Sequence, residues 1–452
     1  MSGPSQQYKV LVADIYADRF ESKTIDISKQ IVEINLFENI ENAYLSGSLV
    51  MVDDVGLLDR IGFRGSEKFR LQISSVDNDR KGFLGGNVNE NDEEGKYFHF
   101  TKIEKTTRAN DRTEVHLLHF IEEHVFISNL NRISKAYTSS FENVITDIII
   151  KTLKRKVDKS FLEPSSQGIR KVNIPFLKPL EAIDFLRDRI TSSTGFPYFV
   201  YASLFDDNIR IGNVDFLLSQ DAFNSRQPFI YSAANASVAN ELSEDKRAFI
   251  IESFKSKRDQ DTLGMIQQGA LVSTYNNIDL NSGLVSNDKY RIENLIRDME
   301  KEKFFGEETV QNVYDPAHIV DDKFLTEYAA KTFHQVTSYG TYDQFLGYHD
   351  VQSQKEHLLK LRATAIRNLL YRNMVNIVVP GTSFAYKKIS VGDQINVTFL
   401  NSQQSPNTSD TEEAIDKNKS GDWLIYAARH VFKDSRHFVS LNLTKLKKIK
   451  NA

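Results

Sequence analysis

The sequence predicts an α+β chain, mainly β, built from several domains. Three observations carry this. Runs of alternating apolar and polar residues open and close the 452 residues. Near residue 138 the apolar spacing shifts to threes and fours, the helical repeat. A polar, weakly periodic stretch over 276–350 then interrupts the second set of strands. At ~150 residues per domain the length gives about three domains.

In chain order, Tyr8, Val10 and Val12, then Ile25, Ile27 and Ile31, recur at near-even spacing. Ile31–Phe37 and Tyr44–Val52 read as strands, and Phe69–Ser74 alternates strictly. Tyr97–Ile103 and Thr113–Phe120 continue the pattern. Short strands parted by polar turns predict a barrel or sandwich. Asp53–Ile61 reads as one short helical turn, and the acidic, glycine-rich Gly82–Gly95 as a solvated loop.

Apolar residues at 141, 144, 145, 148, 149 and 153 predict a helix, with Ser140 and Asn143 as cap candidates. A second helix fits Pro179 to Thr194, with proline in the first turn and Gly195 as the stop. Tyr198–Tyr201 and Asn208–Ile211 read as a hairpin, which makes 126–225 a small α/β domain. Phe249–Ile251 and Ala270–Tyr275 are candidate strands. Ser353–Tyr371 is a helix with Leu358, Leu361, Ala365, Ile366 and Leu369 along one stripe. Val375–Val379, Gln394–Leu400, Trp423–His430 and Phe438–Leu443 close the chain as strands, with a polar loop over 401–422. The division that follows is 1–125, 126–225, 226–275 with 375–452, and an insertion at 276–374.

Composition removes several functions. With no cysteine, disulfides, thiolate zinc, iron–sulfur clusters and cysteine nucleophiles are excluded. The net charge of −4, from 57 basic and 61 acidic residues, argues against a general nucleic-acid coat. No signal-peptide pattern and no run of ~18 apolar residues is visible, so a soluble chain is expected. No phosphate-binding loop, dinucleotide fingerprint, nucleophile elbow or zinc-protease helix motif occurs.

The remaining signals have bland readings. His116, His119 and His124 lie near Glu122 and Glu123. On a strand, His116 and His119 point to opposite faces, so a metal would require a bulge or a helix, and structural histidines are expected. Asp53, Asp54 and Asp59 invite acid–base or cation readings, but their place before a short helix favours capping. The acidic runs Asp77–Asp79 and Asn89–Glu94 lack calcium-loop spacing. Asn396 and Asn407 match a glycosylation pattern too common to carry weight. The basic end Thr444–Ala452 reads as a solubilising tail or as an arm against an acidic neighbour.

Four segments, in this order, resemble the hub proteins of contractile-tail phage baseplates and the related hub part of type VI secretion spikes. They are Leu45–Val52 with the Asp53–Ile61 turn and Phe69–Ile73; Ser128–Leu153; Asn173–Phe176 leading into Pro179–Leu186 and the hairpin Phe196–Ile211; and Val379-Pro-Gly381, Val391-Gly-Asp393 and Trp423–Val431. The resemblance implies two hub-type β-barrel domains with an α/β insertion and a second, irregular one. It implies no catalytic residue, no cofactor and no metal. It implies a homotrimer whose six barrels ring the axis and join a central spike to the tail tube or a tube-initiator protein. Baseplate wedge and tape measure proteins are further partners of such a ring. DNA passes the lumen without specific binding, and no membrane is entered. The expected location is the baseplate of the virion tail, made and assembled in the bacterial host cytoplasm. Two other classes compete. A carbohydrate-binding or adhesin module of a tail fibre would use the many tyrosines as a stacking platform. A cell-wall hydrolase would need two carboxylates about 5–10 Å apart in a cleft, and no motif nominates a pair.

Overall fold

In the computed structural model the alternating N-terminal residues form seven strands. These are β1 (Tyr8–Tyr16), β2 (Thr24–Asp26), β3 (Ile31–Asn39), β4 (Ser46–Asp53), β5 (Lys68–Ser75), β6 (Lys96–Arg108) and β7 (Glu114–Ile121). The structure describes residues 7–17, 23–75, 95–110, 112–160, 162, 170–205, 207–231, 248–258, 262–269, 272–279, 283, 285–301, 319–328, 331–337, 354–381, 388–400, 415–416 and 419–446. The seven strands pair antiparallel in the order β3-β4-β7-β6-β5-β1-β2. Their inward residues form one core that includes Ile15, Leu36, Met51, Leu71 and Leu118. Within it Phe69, Phe98, Phe100 and Phe120 meet ring to ring at 4.9–6.4 Å. Gly47 makes room for that cluster, because a Cβ there would stand 2.2 Å from the Phe120 ring. The turn after β4 is the helix Leu57–Ile61.

The change of texture near 138 is real. Helices Glu123–Leu130, Phe141–Asp147, Pro179–Arg187 and Val214–Ser219 alternate with β8 (Ile133–Ser139), β9 (Lys156–Asp158), β10 (Arg170–Leu177), β11 (Tyr198–Ala202) and β12 (Asn208–Asn213). Strand β10 pairs with β8, and β12 lies between β11 and a parallel β9. Val144, Ile145, Ile148, Ile149, Ile183, Leu186, Val200 and Ile211 pack as a separate core. Two local expectations shift. The helix from 141 gives way to a π turn over Ile148–Thr152, and Ser140 stands at its N-cap without a side-chain hydrogen bond. The helix from Pro179 ends at Arg187, short of Thr194. There the Ser192 hydroxyl accepts the Phe196 N–H at 3.0 Å, so local side-chain bonding replaces the last helical turns.

The rest of the chain adds β13 (Phe229–Tyr231), β14 (Ser253–Arg258), β15 (Val272–Asp279), β16 (Val285–Arg291), the small hairpin β17 (Ile319–Val320) and β18 (Lys323–Phe324), β19 (Lys331–Thr337), β20 (Asn373–Pro380), β21 (Gln394–Phe399), β22 (Gly421–Lys433) and β23 (Arg436–Thr444). The unreadable middle is therefore partly regular. Strand β15 sits between β16 and β19, and the helix Gln354–Arg372 packs on this sheet. Of its strands the sequence offers only Ala270–Tyr275, which overlaps the start of β15; buried polar residues such as Asp288 on β16 blur the alternation that would mark the others. Leu361, Ala365, Ile366 and Leu369 of the helix, the stripe read from sequence, share one core with the C-terminal strands.

Two barrels close around one shared strand. In the C-terminal half β14-β20-β23-β22-β21-β13 pair in sequence. Ile230 of β13 then bridges Ile250, just before β14, which completes the circle. Strand β22 uses its first half, 421–424, against β21 and its second half, 427–433, against β3. The change of partner falls at Tyr426, where the pairing with β23 is bulged. The tip of the β22–β23 hairpin reaches on to β1, through the Gln7–Arg436 bridge and the Tyr8 N–H to Ser435 carbonyl bond. It thereby closes the N-terminal barrel, and Phe432 enters that barrel's core.

Candidate functional site

The densest buried chemistry lies where the barrels and the α/β unit meet, on three glutamates of the N-terminal half. Glu38 sits on β3 and is 2% exposed. Its carboxylate faces His430 Nε2 at 2.9 Å, accepts the Leu204 N–H at 3.3 Å and takes the Ser390 hydroxyl. Glu41, just after β3, accepts the Tyr426 hydroxyl at 2.6 Å and faces Arg187 at 3.2 Å. Glu122 accepts the Leu45 N–H at 2.7 Å and Arg155 at 3.0 Å, with Lys96 at 3.5 Å. Each carboxylate thus gathers donors from segments remote in sequence.

The electrostatics follow from this crowding. Burial pushes the Glu122 carboxyl up, but Lys96, Arg155 and the Leu45 N–H outweigh it and hold the group below the usual range. Burial and the neighbouring Glu41 carboxylate push the Tyr426 hydroxyl far up, so it stays a donor. Burial, then His430, holds the His437 imidazole well below its ordinary value. Buried carboxylates already engaged by several donors are fasteners rather than reagents.

The residues singled out from sequence do not assemble into a centre. Asp53 accepts the N–H groups of Val55, Leu57 and Leu58 at 3.1, 2.8 and 3.2 Å, which is the expected capping role. Burial raises its carboxyl, and those N–H groups bring it below the usual range. Asp54 and Asp59 are exposed. His116 is buried beside Thr106, at 3.0 Å, while His119 points to the other face of β7 and bonds Glu104. His124 is buried on its helix and faces the Ala43 carbonyl at 2.8 Å. Among the described residues no group of three or more His, Asp or Glu is placed to hold a metal ion. Asn396 is tied into β21 by Asn224 and Asp422. The acidic runs at 77–79 and 89–94, Asn407 and the end of the basic tail lie outside the described residues. No helix among the described residues is long and apolar enough to cross a membrane.

One strand edge among the described residues belongs to the N-terminal barrel's longest strand. Residues Thr101–Thr107 of β6 run past the start of β5, pair only with β7 among the described strands, and are exposed. The edge carries Lys102 and Lys105 and two register shifts, features that discourage indiscriminate strand addition. Of the exposed aromatics among the described residues, Phe37, Phe176, Phe216 and Tyr371 stand on separate elements, Phe324 and Tyr328 lie close together beside the β17–β18 hairpin, and Trp423 is buried.

No family model matches the sequence, and no curated protein matches it. Solved structures do. The 43 kDa tail protein of prophage MuSo2 from Shewanella oneidensis superposes with a TM-score of 0.51 over 98% of this chain and 100% of its own, at 9% identity. The chain has the fold of a phage tail protein. A tail protein from Neisseria meningitidis MC58 agrees, with a TM-score of 0.50 over 97% of both chains at 9% identity. An E. coli component of the type VI secretion system, similar in structure to T4 bacteriophage tail proteins, is a more distant likeness at a TM-score of 0.43. The resemblance read from short sequence segments is thus matched by likeness of fold across nearly the whole chain. The mainly β, α+β architecture is the one found. Glu38 and Glu41 were missed from sequence because their partners lie as many as 392 residues away, and Glu122, noted only beside the histidines, gathers its donors from up to 77 residues away.

Proposed function

We propose that the chain is a structural baseplate hub of a contractile phage tail. Three copies form a pseudo-six-fold ring that joins the central spike to the tail tube or its initiator and gives passage to DNA. The observation that carries this is the pair of barrels built around β22. Two barrels in each of three chains present six units on one face, the geometry needed to match a three-fold spike to a six-fold tube. The likeness to tail proteins over nearly the whole chain supports the same reading. Wedge and tape measure proteins are further contacts of such a ring, and the virion tail is its location.

The division into 1–125, 126–225, 226–275 with 375–452, and 276–374 belongs to the same proposal. So does the absence of a catalytic step: the work is geometric. We place a subunit contact at the open edge Thr101–Thr107, where a shaped neighbour would bury unpaired backbone. The whole interface is of the large, obligate kind.

Sedimentation velocity at micromolar concentration tests this, alone and with the spike. A trimer is the expected result, weakened by Ile103→Asp on the open edge. A chain that stays monomeric in both conditions sinks the proposal, as would six or twelve peripheral copies in an intact particle seen by electron cryomicroscopy. Clearing of a cell-wall suspension by the purified chain would replace it with a hydrolase.

A further inference from the structure

We propose that the seam between the two barrels is an acid-sensitive latch made of Glu38, His430, His437 and Ser390. The latch sits where β22 leaves one barrel for the other. His430 bridges two neighbours: its Nε2 faces Glu38 Oε1 at 2.9 Å, and its Nδ1 faces His437 Nε2 at 3.2 Å. A nitrogen pair at that distance accommodates one proton. With one, it is a hydrogen bond; a further proton on His437 leaves a charged ring in a dry site. Glu38, His430, His437 and Ser390 are all at most 5% exposed.

Nothing around His437 yields easily. Its ring stacks on Phe432 with centroids 4.2 Å apart and planes 10° from parallel. On another side lies the Gly381 backbone, so close that a Cβ there would fall 2.1 Å from His437 Nδ1. The titratable and charged groups facing the cluster come from each element packed against it. Strand β3 supplies Glu38, and β22 supplies His430. The loop before β21 supplies Asp393, which accepts the Ser390 N–H at 2.9 Å. Strand β1 supplies Tyr8, beyond Phe432 with ring centroids 5.1 Å apart, while Arg436, next to His437 on β23, points to the exposed face.

The sign follows from linkage. In the closed seam, burial and His430 keep His437 from protonating until well below its ordinary value. In an opened seam it protonates near 6.5. As pH falls below about 6.5, the open form therefore gains one proton over the closed form. The open-to-closed ratio rises by up to about tenfold per pH unit.

Hydrogen exchange of the purified chain between pH 7.5 and 5.5, corrected for the intrinsic rate of each amide, reads this directly. Protection in 33–39 and 427–433 is expected to fall by up to about tenfold per pH unit below 6.5, while β11 and β12 hold theirs. His437→Gln, which keeps a donor and an acceptor but does not titrate, should flatten the seam's response. His437→Phe, which keeps the stack on Phe432, should do the same and serves if the glutamine variant is unstable. Flat seam protection in the natural chain, or an unchanged slope in a folded variant, overturns the latch.

Discussion

Gly381→Ala adds one methyl group, and the structure says where it would go. The built Cβ falls 2.1, 2.3 and 2.4 Å from Nδ1, Cγ and Cε1 of His437. An ordinary carbon contact is about 3.5–4.0 Å, so the ring would have to move by more than about 1 Å. It has nowhere to go, being stacked on Phe432 and bonded to His430. The backbones are also joined there, since the Gly381 N–H donates to the His437 carbonyl at 2.8 Å. Gly381 is not among the residues at positive φ, so alanine meets no backbone penalty and the cost is contact alone. Overpacking costs about 1–3 kcal/mol. Loss of a buried hydrogen bond adds about 0.5–1.5 kcal/mol. The sum, about 1.5–4.5 kcal/mol, lowers Tm by roughly 3–18 °C for a cooperative unit of about 150–250 residues. Thermal unfolding followed by circular dichroism measures it. Combining Gly381→Ala with His437→Ala should cost less than the two singles added, because the second change makes the room the first one needs. A Gly381→Ala variant within about 0.5 kcal/mol of the natural chain, or strict additivity in the double variant, would refute the reasoning.

Two further outcomes follow from the same joint. Glu122→Gln leaves buried Lys96 and half-buried Arg155 with only the exposed Asp207 as counter-charge, at a cost of up to about 3–5 kcal/mol in a urea titration at pH 7. The folded Glu122 carboxyl lies below its ordinary value, so its contribution is complete above about pH 4.5 and lost as pH falls through the folded value. The natural chain should therefore lose stability more steeply with acid than the variant does, and parallel curves would count against the assignment. Phe432→Ala opens a void in the N-terminal barrel although the residue belongs to the C-terminal hairpin, at about 3–5 kcal/mol. Hydrogen exchange should show the loss in β1 and β5, and loss confined to β20 and β23 would contradict the packing.

Local pattern was legible residue by residue. Phe69–Ser74 alternates because one face of β5 meets the barrel core, and that face is Phe69, Leu71 and Ile73. The Leu361–Leu369 stripe marks the face of the long helix that enters the C-terminal core. Asp53 is readable as a cap because its partners stand within five residues of it. Where buried positions are polar, as at Asp288 on β16, the same reasoning finds nothing. Helix ends were misjudged for a related reason. Ser192 and its neighbours offer the backbone local bonds, and apolar spacing does not weigh those against another helical turn.

By itself the sequence determined the mainly β class, the helical insertion after 138, the absence of cysteine chemistry and the order of segments that resembles a hub. Those properties are local or compositional, set by side-chain spacing along a few turns of backbone. The tertiary structure alone decided that one strand serves two barrels, that Phe432 fills a core far from its own strand's start, and that Glu38, Glu41 and Glu122 bind the units together. A buried carboxylate is stable only among donors, and donors brought together by folding need share no spacing in the chain.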